Sequence, residues 1–69
     1  MPALKSSNLA SAEYQPESRE LTVTFQNGAV YRFQQVPEFH YNNLLKANSA
    51  GGYFASRIRG TFDGVKVSE

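Results

Sequence analysis

The sequence predicts an α+β fold: a three-stranded antiparallel β-meander with two short C-terminal helices packed on one face, in the order βββαα. Three observations carry this expectation. Two alternating runs, Leu21-Thr22-Val23-Thr24-Phe25 and Ala29-Val30-Tyr31-Arg32-Phe33, meet at Asn27-Gly28, a strong short-range signal for a β-hairpin. A weaker alternating segment and a proline turn precede them. Beyond Phe33 the apolar period changes from two to that of a helix, and a second helix start follows at Ser49.

Residues 1–7 are small, polar or basic and read as a flexible N-terminal arm. In Leu9-Ala10-Ser11-Ala12-Glu13-Tyr14 the positions Ala10, Ala12 and Tyr14 alternate with Ser11 and Glu13, which makes a first strand whose pattern Leu9 breaks. Gln15-Pro16-Glu17-Ser18-Arg19 supplies turn chemistry, Pro16 fixing its own φ near −65°.

The hairpin register follows from which face gathers the large apolar side chains. With a two-residue loop Val23 would oppose Arg32 and place a charge among apolar neighbours. With a three-residue Gln26-Asn27-Gly28 loop, Gly28 left-handed in a bulge, Phe25 opposes Ala29, Val23 opposes Tyr31 and Leu21 opposes Phe33. A one-residue slip reverses every side chain of a strand, so the bulged register is expected. Thr22, Thr24, Val30 and Arg32 then lie on the other face.

A first helix is expected from Pro37 to Ala47, with Pro37 at its first position and Glu38 at the positive end of its dipole. Phe39 or His40, Tyr41, Leu44 and Leu45 form its apolar stripe, and Asn42, Asn43 and Lys46 face water. Ser49 caps a second helix through Tyr53, Phe54 and Ile58, with Gly60 expected as its C′ residue. Phe62 and Val65 are candidates to pack back as the tail leaves.

The 69 residues form one domain, and at this size only about 60% of the unfolded chain's surface is buried on folding. The core is thin. With no cysteine there is neither a disulfide framework nor a thiolate metal site, which places the domain in a reducing cytoplasm. The Met-Pro-Ala start carries no signal peptide, and no apolar run approaches the roughly 20 residues that cross a bilayer. A net charge of +1 is far from the strongly basic balance of a dedicated nucleic-acid binder.

Ser6-Ser7-Asn8-Leu9, Tyr14 followed by Pro16, Val30-Tyr31-Arg32-Phe33, Val36-Pro37, and Ser49-Ala50-Gly51-Gly52-Tyr53-Phe54 leading to Ile58-Arg59 together resemble the KTSC domain, a short module of bacteria and phages. The same module occurs at the C-terminus of some lysyl-tRNA synthetases. The resemblance covers most of the chain without gaps and rests on the aromatic-x-aromatic element at Tyr31-Arg32-Phe33. For function it implies no more than a suggestion of RNA binding. Two positions depart from the pattern: Gly52 stands where the family often has a basic residue, and His40 where it has an aliphatic one. The first departure removes positive charge from an RNA surface.

Catalysis needs convergent groups with matched pKa values, whereas this chain has one His, no Cys and carboxylates spread mostly one to a segment. No enzyme activity, cofactor or metal is expected. His40 is a packing residue on a mostly apolar helix, and Glu17 and Glu20 beside Arg19 are solvated charges. Tyr31 and Phe33 face the helices in the register above and belong to the core. Phe54 pairs with Ile58 there, which leaves Tyr53 near an edge as the better ligand candidate.

Ser49-Ala50-Gly51-Gly52 offers bare backbone N–H groups at a helix start, where an anion is stabilised, or else a junction that merely needs small residues. Arg32, Arg57 and Arg59 are the cations of interest. The candidate ligand-binding set is therefore Ser49, Gly51, Gly52, Tyr53, Arg57, Arg59 and Arg32. The expected function is a non-catalytic small binding module, with three classes of reading, the third of them without a ligand. RNA would be held by Arg32, Arg57, Arg59, Lys46 and an aromatic platform. A small nucleotide-type anion would sit at Gly51-Gly52 with Tyr53 stacking, as in a phage sponge that sequesters a nucleotide-derived immune signal. The third class is a purely structural protein-interaction domain. An open sheet face and unguarded strand edges add the expectation of a homo-oligomer, a dimer.

Overall fold

The computed structural model describes residues 8–68, so the expected N-terminal arm, residues 1–7, lies outside the described residues. Six elements follow in order: β1 (Leu9–Gln15), β2 (Glu20–Phe25), β3 (Val30–Phe33), α1 (Glu38–Lys46), α2 (Ala50–Arg57) and β4 (Gly64–Ser68). The four strands make one antiparallel sheet in the order β1-β2-β3-β4. The α+β class and the two helices are as the sequence indicates, but the sheet has a fourth strand where a departing tail is expected. That strand pairs along β3, so the sheet's outer edges are β1 and β4.

The central hairpin adopts the bulged register. Leu21 pairs with Phe33, Val23 with Tyr31 and Thr24 with Val30. The loop closes through Phe25 N–H donating to the Ala29 carbonyl at 2.8 Å and Gly28 N–H to the Phe25 carbonyl at 3.0 Å. Gly28 takes φ 94°, a left-handed conformation that suits a residue without Cβ. In β1 the break at Leu9 is a β-bulge: Leu9 pairs with Phe25 and Ser11 with Thr24, leaving one extra residue between them. The bulge lets Leu9 and Ala12 both bury on the same side, at 1% and 0% exposure.

Leu21, Val23 and Phe33 join Leu9 and Ala12 under the helices, which contribute Leu44, Ala50, Phe54 and Ile58 to the same core. Val36 completes it from the β3–α1 connection. Its N–H donates to the Arg19 carbonyl across the β1–β2 turn, where Arg19 and Gln35 both take positive φ, 58° and 56°. Each such non-glycine residue costs on the order of 1–2 kcal/mol, offset here by drawing Val36 fully into the core. Tyr14 stacks on Tyr41 at 5.5 Å and donates its hydroxyl to the Val36 carbonyl, so β1, the connection and α1 are tied at one point.

Helix α1 runs over Glu38–Lys46, one residue inside the expected span at each end, with Pro37 as an extended N-cap rather than the first helical residue. Leu44 is its buried residue and Phe39 stands in solvent at 56% exposure. Helix α2 starts as expected: the Ser49 hydroxyl accepts from the Gly52 N–H at 3.2 Å. It ends differently. Gly60 is not a left-handed C′ residue; the Ile58 and Arg59 N–H groups both donate to the Phe54 carbonyl, and this wide turn closes the helix with Ile58 as C-cap. A further turn through Thr61 and Phe62, both donating to the Ile58 carbonyl, delivers the chain to β4.

β4 pairs Gly64 with Phe33, Val65 with Arg32 and Lys66 with Tyr31. Lys66 therefore shares the helix-side face with Tyr31. Val65 belongs with Arg32 on the opposite face, exposed at 59%, instead of packing back on the core.

Candidate functional groove

Helix α2 is eight residues long, about 12 Å at 1.5 Å per residue, and does not cover the whole sheet. Beside it, toward the hairpin turn, a half-open groove of about 420 Å³ is lined by Phe25, Asn27, Ala29, Tyr31, Phe33, Phe54, Arg59, Gly64 and Lys66. Its floor follows from strand alternation. Phe25, Tyr31 and Phe33 occupy the helix-side face of β2 and β3, and Phe54 reaches them from α2.

These rings interlock edge to face: Phe25 with Tyr31 at 5.5 Å and 71°, Phe25 with Phe54 at 5.7 Å and 81°, and Phe33 with Phe54 at 5.3 Å and 78°. Such geometry matches positive ring edges to negative faces and fixes the floor. Phe33 and Phe54 are buried, whereas Phe25 and Tyr31 are only half-buried and present ring surface to the groove.

The rim is built from hydrogen-bond donors. Arg59 stands where the chain leaves α2, and Lys66 stands on β4. At the hairpin end the Asn27 side-chain oxygen accepts from the Ala29 N–H at 2.9 Å, which leaves its amide NH₂ as the outward donor. Among the described residues no carboxylate lines the groove. Aromatic surface below and cationic donors above suit a flat ring that carries negative charge. A second hollow, lined by Gln34, Gln35, Thr61, Phe62 and Asp63, has a carboxylate and, among the described residues, no cation.

Of the residues singled out in the sequence, the groove takes Arg59 alone. Ser49, Gly51 and Gly52 lie at the opposite end of α2, where the Ser49 hydroxyl is engaged by its own cap and a Cβ at Gly52 would stand 3.2 Å from it. Arg32 projects from the far face of the sheet.

Tyr53 turns to α1, where its hydroxyl meets His40 Nδ1 at 2.9 Å and accepts from the Asn43 amide at 3.1 Å. His40 also packs against Phe39 and Phe62 at ring distances of 4.2 and 5.3 Å, the packing role expected of it. Burial first, and the nearby Arg57 guanidinium second, hold its pKa below the ordinary 6.5. Among the described residues no group of three His, Asp or Glu side chains converges.

What the sequence reading missed is the groove's other wall. Tyr31 and Phe33 are core-facing as expected, yet Tyr31 is also groove-facing, and Lys66 reaches the lining only through the fourth strand, β4. The alternation in Gly64-Val65-Lys66-Val67 is the signal that carries it.

The sequence profile of the KTSC domain family matches residues 5–62. A protein of Stutzerimonas stutzeri (strain A1501) is 46% identical over 52 residues, 75% of this chain and 73% of that one. A protein of Tsukamurella paurometabola is 31% identical over 67 residues, covering 97% of this chain and all of the other. The crystal structure of a KTSC domain protein from Yersinia pestis superposes with a TM-score of 0.83 at 35% identity, over 90% of this chain and 87% of that one.

Proposed function

The chain belongs to the KTSC domain family, and on that premise we propose that it is a non-catalytic binding module for RNA or a nucleotide-type anionic ligand, taken up in the aromatic groove. One observation supports this reading: half-buried Phe25 and Tyr31 line one groove together with Arg59 and Lys66, and among the described residues no carboxylate joins them. A base stacked on an aromatic side chain gains about 1–3 kcal/mol. A charge-assisted hydrogen bond from a guanidinium to phosphate adds a term of about 1.5–3 kcal/mol. The chain's single imidazole points elsewhere, held by Tyr53, which is consistent with binding rather than turnover.

The groove moves the expected anion site from Gly51-Gly52 to the other end of α2. Cytoplasmic placement and a dimer formed through the open sheet face or the β1 edge belong to the same proposal, and so does the sponge role, which needs only tight uptake of a small signal. A purely structural interaction domain would leave the groove without a ligand. Arg59→Ala and Tyr31→Leu test the reading in a binding assay with a mixed single-stranded RNA oligomer and nucleoside monophosphates. Loss of binding in both variants, with the far-face variant Arg32→Ala unaffected, is the expected result. Equal binding by all four proteins argues against the groove.

A further inference from the structure

We infer that the groove takes one aromatic heterocycle with one or two attached phosphates, a mononucleotide-scale anion, rather than a run of single-stranded RNA. This rests on the groove being the binding site and goes on to fix the size of what it holds. A volume of about 420 Å³ lies toward the low end of the roughly 300–1,000 Å³ of small-molecule sites.

The arrangement of cations argues the same way. Proteins that track a strand line a continuous channel with positive charge alongside their stacking platforms. Here the described cations diverge. Arg59 and Lys66 flank the groove, while Arg32 lies on the opposite sheet face and Arg57 beside His40. Arg19 occupies the β1–β2 turn, at the end of the sheet away from Asn27, and Lys46 ends α1. A strand leaving the groove in either direction meets no further stripe of positive charge among these six.

The hairpin turn bounds one end of the groove through Asn27 and Ala29. The groove's two half-buried rings, Phe25 and Tyr31, stand edge to face at 71°, so a flat heterocycle stacks on one ring at a time, which suits a single base. On this inference Arg59 and Lys66, both in the groove lining, meet the phosphate, and the Asn27 amide NH₂, whose oxygen is engaged by the Ala29 N–H, donates to the heterocycle.

Isothermal titration of the full chain tests this with four sets of probes: the four nucleoside 5′-monophosphates, the matching nucleosides, inorganic phosphate, and twelve-nucleotide RNA oligomers of each base. The expected result is that at least one monophosphate binds, that its nucleoside and inorganic phosphate each bind about tenfold or more weakly, and that the oligomer of that base gains little beyond its number of sites. The oligomer's salt slope should correspond to one or two phosphates, about −0.7 to −1.4 on log–log axes. Arg59→Gln should lower monophosphate affinity about tenfold and leave the nucleoside unchanged.

An oligomer that binds far more tightly than any monophosphate, with a slope steeper than about −2, overturns the size inference and leaves the groove reading intact. Inorganic phosphate binding as well as the monophosphate overturns the heterocycle. Absence of binding by every probe overturns both this inference and the function from which it starts.

Discussion

The ring of Phe33 lies directly over the α-carbon of Gly64: a Cβ built at Gly64 would stand 2.4 Å from the ring's Cε2. Phe33 is itself held from behind by Phe54 and is 4% exposed, so it has nowhere to retreat. The absence of a side chain at Gly64 is thus what lets β4 close against β3. Gly64→Ala is expected to displace β4 or strain the core by about 1–3 kcal/mol. For a domain of this size that is a fall in Tm of at least about 4 °C. Hydrogen exchange should then rise first at the β4 amides. An unchanged Tm and unchanged exchange would mean that β4 contributes nothing to the fold.

Adjacent residues on α2 should respond very differently to truncation. Phe54→Ala removes the ring on which Phe25 and Phe33 both rest and is expected to cost about 3–5 kcal/mol, enough to unfold much of a thin-cored domain. Tyr53→Phe removes only the hydroxyl shared by His40 and Asn43 and should cost about 1 kcal/mol. Urea denaturation of the two variants gives the comparison.

The His40 contact makes stability depend on pH in a definite direction. Because its folded pKa lies below the ordinary 6.5, the unfolded chain binds the proton more readily than the folded one. The stabilisation is fully present above about pH 6.5 and is lost as pH falls through that value toward the lower folded pKa. Urea midpoints at pH 7.5 and 5.5 should fall in the wild type and fall less in His40→Leu. A steeper fall in the variant would place the pH dependence elsewhere.

The outward face of the sheet sets the assembly test. Ser11, Thr24 and Val30 form one row across it, and Glu13, Thr22, Arg32 and Val65 the next, with neither helix above them. If the dimer uses this face, sedimentation equilibrium shows a concentration-dependent mass above 7.7 kDa that Val65→Glu abolishes. If it uses the β1 edge, the mass persists in that variant. A mass of 7.7 kDa throughout removes both interfaces.

The hairpin was legible because two independent requirements agree on it. Asn27-Gly28 demands a turn with a left-handed residue, and one register alone puts Leu21, Val23, Phe25, Tyr31 and Phe33 on one side. β4 is faintly legible: Val65 and Val67 alternate with Gly64 and Lys66, but the valines are exposed and the glycine has low strand propensity, so the alternation marks no core face. The groove was hidden for a different reason. Phe25 and Tyr31 carry the alternation of core residues, and only the shortness of α2 leaves their rings half uncovered. Arg57 and Arg59 are two residues apart, and the wide turn at Phe54 sends Arg59 alone to the groove.

The most direct test of the groove as the binding site is an amide chemical-shift map of the full chain titrated with the nucleoside monophosphates. The expected map has its largest changes at Phe25, Asn27, Ala29, Tyr31, Arg59 and Lys66, with Thr22, Thr24 and Arg32 still. Changes centred on Ser49, Gly51 and Gly52 at the start of α2, or on the outward sheet face, would contradict it.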